Sequence, residues 1–315
     1  MEKMKEHNYT PWIVQRADPY ITNEHGGKYY FTASVPEYDR IVLRCADNLG
    51  DLKNANEKTI WTKHESGEMS CHIWAPELHY LFGNWYVYFA AGERDDIWKI
   101  RPYVLKCEGE DPMNDPWTEL GKMNRSADDN FSFEAFSLDG TVFESCGQWY
   151  FIWAEKVGVG DQISNLYIAK MENANTLSTA QVLLSTPDYD WERHGFWVNE
   201  GPGVLKHNGK IFVTFSASDT SPAYCVGMLI ADENADLIDP KSWKKLRYPV
   251  LRSKPECGLY GPGHNSFTKD EAGNDIIVYH ARTTDKLICE NPLYDPNRHT
   301  MKKKIVWNEE DMPVF

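Results

Sequence analysis

Residues 75–92 read APELHYLFGNWYVYFAAG: a carboxylate at Glu77, an apolar run, a glycine at Gly83, then a strand of aromatics. Two β-prone runs either side of a turn glycine describe a hairpin. The arrangement recurs around Asp18 (ADPYITNEHGGKYYFTAS), Asp139 (SLDGTVFESCGQWYFIWAE), Glu200 (NEGPGVLKHNGKIFVTFSAS) and His264 (GHNSFTKDEAGNDIIVYHAR). The five ionisable residues stand 59, 62, 61 and 64 positions apart. A period of that size, carrying hairpins rather than helices, reads as one propeller blade per repeat. The chain is therefore expected to be all-β, a five-bladed β-propeller in one domain spanning 1–315. Its five leading residues should occupy equivalent places facing the central axis.

The rest of each repeat fits the same reading. Second strands are expected at Lys28–Ala33, Asn84–Ala90, Gln148–Ala154, Lys210–Ser216 and Asp275–His280, entered through Gly27, Gly83, Gly147, Gly209 and Gly273. Glycine accepts the positive φ such turns demand. Third strands follow at Arg40–Cys45, Pro102–Cys107, Asn165–Met171 and Ala223–Ala231, each leading towards a fourth, outer strand. No useful stretch shows the 3.6-residue period of a helix, so helices should be few and short. A final strand at Lys303–Trp307 is expected to close the ring together with the first 15 or so residues. Two longer stretches, Arg94–Arg101 and the Trp- and Phe-rich Asp188–Val198, are placed as loops shaping a ligand site.

Net charge is −14, which argues against nucleic acid or an anionic membrane surface as partner. The N-terminal residues show no apolar core of a signal peptide, and no stretch approaches a membrane span. Seven scattered cysteines, never closer than 26 positions, form neither a disulfide framework nor a zinc pattern. These features lead to the expectation of a cytoplasmic protein with reduced thiols. The 12 Trp and 17 Tyr residues are strand formers first, and their surplus also suits sugar rings. The glycines of VGVGD (157–161) lack the lysine and the strand–helix context of a phosphate loop.

Acids converging on one axis allow two chemistries. Glycosidic cleavage needs one protonated and one ionised carboxyl flanking the sugar, and a third carboxylate can hold the acid's pKa up. Three clustered acids also suit a hard cation such as calcium. Spacing alone leaves both open.

The motifs ADPYI, IWAPELH, SLDGTVFE and NEGPGVL, in that order, resemble the ordered motifs of glycoside hydrolase family 43. GPGHNSF, VYHAR and the tail NRHTMKKKIVWNEEDMPVF resemble the single-domain arabinofuranosidase-type members, and the likeness runs from Asp18 to the C-terminus. The resemblance implies a five-bladed propeller hydrolysing terminal α-L-arabinofuranose, and also β-D-xylose, from short oligosaccharides with inversion. It makes Asp18 the general base, Glu200 the general acid and Asp139 the residue that raises and orients the acid. Inversion would set base and acid roughly 6.5–9.5 Å apart. His264 matches a histidine that ligates a calcium or sodium ion within a watery shell; no organic cofactor is implied. Trp74 and Arg282 match positions lining the sugar pocket. Glu77 is expected to be structural despite its repeat position. No C-terminal β-sandwich is visible, which favours arabinofuranosidase over xylosidase activity. An endo-acting arabinanase and a non-catalytic sugar-binding propeller are the competing readings.

Overall fold

The computed structural model describes residues 9–23, 25–156 and 163–315. VGVGD and the first eight residues lie outside them. The described residues form β-strands joined by turns and five short 3₁₀ helices, in keeping with the absence of a helical period. No helix among them is long and apolar enough to cross a membrane.

The first sheet orders Ala17–Thr22, Tyr29–Ser34, Arg40–Ala46 and Lys58–Thr62 as an antiparallel meander. Cys71–Leu81, Asn84–Glu93, Asp96–Cys107 and Trp117–Lys122 repeat it. The third and fourth hairpins, Ser137–Ser145 with Gln148–Lys156 and Trp197–His207 with Lys210–Ala217, belong to one larger sheet. Strand Ile163–Asn173 joins them by pairing in parallel with Trp197–His207. The fifth leading hairpin forms a sheet ordered Tyr260–Lys269, Asp275–Arg282 and His299–Lys304; the single final strand expected at Lys303–Trp307 is instead divided, since Val306–Trp307 pairs with Pro313–Val314 in a small sheet of its own. All five expected turn glycines take positive φ, between 69° and 80°.

The leading strands touch one another in cyclic order, the last (Tyr260–Lys269) packing back on the first (Ala17–Thr22). Between the sheets, interleaved aromatic and β-branched side chains are closed from water. Trp85, Val87 and Phe89 of the second sheet pack with Tyr30, Ile41 and Leu43 of the first, all nearly fully buried. Burial of each such side chain is worth about 1.5–3 kcal/mol. The chain's beginning lies against its last sheet: the Ile13 N–H donates to the Thr300 carbonyl and the Thr300 N–H donates to Ile13. Arg94–Arg101, expected as a loop, is instead largely hairpin. The strands Asn84–Glu93 and Asp96–Cys107 pair as far out as Glu93 with Asp96.

Every leading hairpin carries an irregularity in its ladder near its start. Each leading strand has a left-handed residue at its irregularity: Asp18 (φ 51°), Ala75 (45°), Asp139 (55°), Gly201 (54°) and His264 (43°), and the second and last have another further upstream, at His72 (51°) and Gly261 (56°). Such bulges re-aim a side chain out of the pleat. They also correct the repeat alignment. The equivalents of Asp18, Asp139 and His264 are Ala75 and Gly201, so Glu77 stands two places past its bulge and Glu200 one before.

Candidate active site

Three carboxylates and an imidazole from different leading strands meet at a cavity of about 490 Å³, lined among others by Asp18, Asp139, Glu200 and His264. Asp18, Asp139 and His264 are buried, while Glu200 is partly open. Left-handed φ at non-glycine residues costs free energy, about 1–3 kcal/mol each, and persists where the surroundings impose it. Here it falls on three of these four side chains.

Asp18 is the most heavily partnered. Ser34 Oγ donates to its Oδ2 at 2.6 Å and also accepts the Ala75 N–H, tying the first two sheets together at the site. His264 Nδ1 lies 3.3 Å and an Arg298 guanidinium nitrogen 3.6 Å from Asp18 Oδ1. Burial alone would raise the Asp18 pKa; His264 and Arg298 outweigh it and hold the carboxyl well below the usual range. His280 Nδ1 is also 3.1 Å from that oxygen, but this nitrogen accepts the Asp18 backbone N–H. Its lone pair is thereby used, and burial lowers His280 to about 4, so it stands beside Asp18 as a neutral ring.

Asp139 Oδ2 accepts the Gly201 N–H at 3.0 Å and lies 3.8 Å from His264 Nδ1. Glycine relieves two constraints at position 201: φ is 54°, and a Cβ would stand 3.0 Å from the His264 ring. Burial, then the facing Glu200 and Asp18 carboxylates, push Asp139 well above the ordinary aspartate value. Glu200 is raised to about 7, first by burial and then by Asp18, against the opposing effect of a hydrogen bond from Tyr224. That bond, Tyr224 Oη donating to Glu200 Oε1, is 2.7 Å long.

Trp74 lines the cavity, its ring stacked on His72 at 4.4 Å, and its indole N–H finds no acceptor among the described residues. Trp98 of the long hairpin and Phe196 of the 188–198 segment, both exposed, reach the same cavity. Arg282 does not line it. Its guanidinium donates to the carbonyls of Thr220 and Pro292 and pairs with Asp295 at 3.1 Å, both partners almost wholly buried. A buried arginine needs its donors met, and the bend at 283–298 supplies partners for them. Arg282 thus secures the segment whose Asn291, Pro292 and Leu293 form one cavity wall. The buried cation at the cavity is Arg298, bonded also to Tyr38 Oη at 2.5 Å, while the half-buried Lys156 lines the cavity as well. Arg298 sits in the tail motif NRHT, yet a lone arginine in sequence reads as surface, and its burial follows only from the turn that precedes it.

Replacing Arg282 by Met should leave Asp295 charged and unpaired in the interior. We expect a loss of about 3–5 kcal/mol in unfolding free energy, read from the denaturant midpoint. A variant as stable as the parent would mean that the pair does not hold this wall.

Glu77 lies outside this cavity. Its Oε2 meets His79 Nε2 at 2.7 Å, and His79 Nδ1 lies 3.1 Å from Tyr20 Oη, beside a second cavity of about 560 Å³. Glu77 thus stands apart from Asp18, Asp139 and Glu200, with the His79 side chain as its partner.

The sequence matches the family described as glycosyl hydrolases family 43 over residues 11–313. It is 48% identical over 306 residues to a Streptomyces avermitilis protein named extracellular exo-alpha-(1->5)-L-arabinofuranosidase, covering 97% of this chain and 62% of that one. A Streptomyces chartreusis protein of the same name is 47% identical over 88% of this chain and 83% of its own. The crystal structure of an alpha-L-arabinofuranosidase from Lactobacillus brevis superposes with a TM-score of 0.91 at 48% identity, covering 98% and 96% of the two chains. The word "extracellular" in the two Streptomyces names overturns the cytoplasmic expectation. Scattered, unpaired cysteines do not by themselves place a protein inside the cell. By the span of the match and the identity to these relatives, the chain belongs to glycosyl hydrolases family 43.

Proposed function

We propose that the chain is an exo-acting α-L-arabinofuranosidase that removes terminal arabinofuranosyl residues with inversion. The observation that carries the reading is the meeting of Asp18, Asp139 and Glu200, from three different strands, at one cavity wall. Relatives named for exo-arabinofuranosidase activity at 47–48% identity support the substrate class. We read the architecture as a five-bladed propeller closed into one domain. The cyclic contact of the leading strands and the pairing of Ile13 with Thr300 support this.

Asp18 suits the base, since a carboxylate kept ionised by His264 and Arg298 can accept a proton from water. Glu200 suits the acid. Asp139 and Glu200, both raised, titrate as a pair. We place their shared proton on Glu200, because Asp139 Oδ2 takes the Gly201 N–H and faces His264, whereas Glu200 keeps one oxygen free of Tyr224. Trp74, Trp98 and Phe196 supply apolar surface for a sugar ring, and Arg298 a donor beside the base. An axial calcium or sodium ion fits only in hydrated form. His264 Nδ1 is turned to the carboxylates, and the described residues hold no group of three His, Cys, Asp or Glu side chains spaced to grip a bare ion. The ion's ligands would then be His264 Nε2 and water.

Release of arabinose from α-1,5-linked arabinobiose and from 4-nitrophenyl α-L-arabinofuranoside tests the activity, with 4-nitrophenyl β-D-xylopyranoside alongside. Proton NMR of the first anomer formed tests the stereochemistry: inversion gives β-arabinose first, and the α anomer would overturn that part. Internal oligomers from arabinan without arabinose would replace the exo reading by the endo one.

The pH profile follows from the two carboxyls. Asp18 is ionised throughout the working range, whereas Glu200 must be protonated. On the arabinobiose substrate, kcat/KM should stay level below neutrality and fall about tenfold per pH unit above about 7. A profile level to pH 9 would remove Glu200 from the acid's role.

A further inference from the structure

Resting on the acid's role proposed for Glu200, we propose that Tyr224 is a positioning residue that reserves one oxygen of Glu200 for the proton and stabilises the carboxylate left after transfer. The phenol is 1% exposed, and its Oη donates to Glu200 Oε1 at 2.7 Å. An oxygen that accepts a hydrogen bond is the poorer place for a proton, so the proton is directed to Oε2. As the glycosidic bond breaks, that proton moves to the leaving oxygen, the C–O electron pair departs with the leaving group, and Glu200 becomes a carboxylate. The Tyr224 bond is then charge-assisted and stronger than before transfer, which lowers the barrier rather than merely tightening binding.

Tyr224 is held to this task by its surroundings. Its ring lies parallel to that of His280, centroids 5.5 Å apart and planes within 2°, and His280 in turn accepts the Asp18 N–H. The ring also presses on Gly263, the strand partner of His280, where a Cβ would stand 2.2 Å from a ring carbon. The glycine two places after Gly261 in GPGHN is thus the space that lets the phenol reach Glu200. Burial, together with Glu200 and Asp139 nearby, pushes the phenol well above its ordinary pKa, so it remains a donor across the working range.

The test pairs Tyr224→Phe and Gly263→Ala with two substrates whose leaving groups need different amounts of protonation. For Y224F on arabinobiose, kcat should fall about 10- to 100-fold, the range a hydrogen bond to a charged group commands. On 4-nitrophenyl α-L-arabinofuranoside, whose phenolate departs with little help, the fall should be about threefold or less, with KM little changed. The alkaline limb should move upward, because the bond that lowers Glu200 has gone. G263A, which displaces the ring and keeps the phenol, should give the same leaving-group signature. Equal losses on both substrates with an unmoved limb, or no loss at all, would overturn the proposal. Wild-type enzyme that releases no sugar from either substrate would instead overturn the underlying glycosidase reading. Far-ultraviolet circular dichroism and a melting curve of each variant establish that it is folded, and should G263A fail there, Y224F alone decides.

Discussion

Glu200→Gln should lower kcat/KM on arabinobiose by about 10³- to 10⁴-fold, the upper range of what a positioned acid contributes. An amide cannot give a proton to an alkoxide leaving group. Tyr224 is a donor only towards Glu200 itself. Arg298 is committed to Asp18 and Tyr38. The loss should shrink to about tenfold on 4-nitrophenyl α-L-arabinofuranoside, where the leaving group needs little protonation. The descending limb near pH 7 should vanish on that substrate, since the group responsible is no longer titratable. Initial rates on the two substrates across pH 5–9 decide the matter. Retention of a tenth or more of the parent's activity on arabinobiose would mean that the acid lies elsewhere.

Asp18→Asn should be as damaging, by about 10²- to 10⁴-fold, but with a different signature. The base acts on water, whatever sugar or phenol is leaving, so both substrates should suffer alike. The variant also leaves Arg298 and His264 facing a neutral amide, so its melting temperature belongs in the same experiment. A folded D18N with a large, equal loss on both substrates supports the base. A loss confined to arabinobiose would make Asp18 an accessory of the acid. Comparing E200Q with D18N therefore assigns the two carboxylates separately.

Much of this framework is legible in the order of the amino acids. The second strand of every hairpin lies within a few residues of where the alternating aromatics and turn glycines put it, because those signals are local: side-chain alternation and a positive-φ turn are properties of a few consecutive residues. Repeat position and motif single out Asp18, Asp139, Glu200 and His264, and these four meet at one cavity. Glu77 looks equivalent to them in sequence and is not. The bulge in its strand falls at Ala75, and a slip of a residue or two sends a side chain to another face. Arg94–Arg101 reads as loop because charged and polar residues crowd it, yet cross-strand pairing carries the hairpin through.

The arginines show the same limit. Arg282 and Arg298 lie 16 positions apart, and both are buried cations with carboxylate partners. Which of them faces the cavity depends on how the 283–298 segment folds back, and no periodicity encodes that. Tyr224 carries no sequence signal, and His280, though inside VYHAR, gives no hint of its part, since the importance of both lies in contacts with residues distant in the chain. The all-β class, the positions of the hairpin turns and the carboxylates that meet at the cavity are all set by the order of residues, because hydrophobic alternation and motifs run along consecutive positions. Which neighbours charge, silence or orient those carboxylates is set by the folded arrangement, because pKa and hydrogen bonding depend on distances through space between strands far apart in the chain.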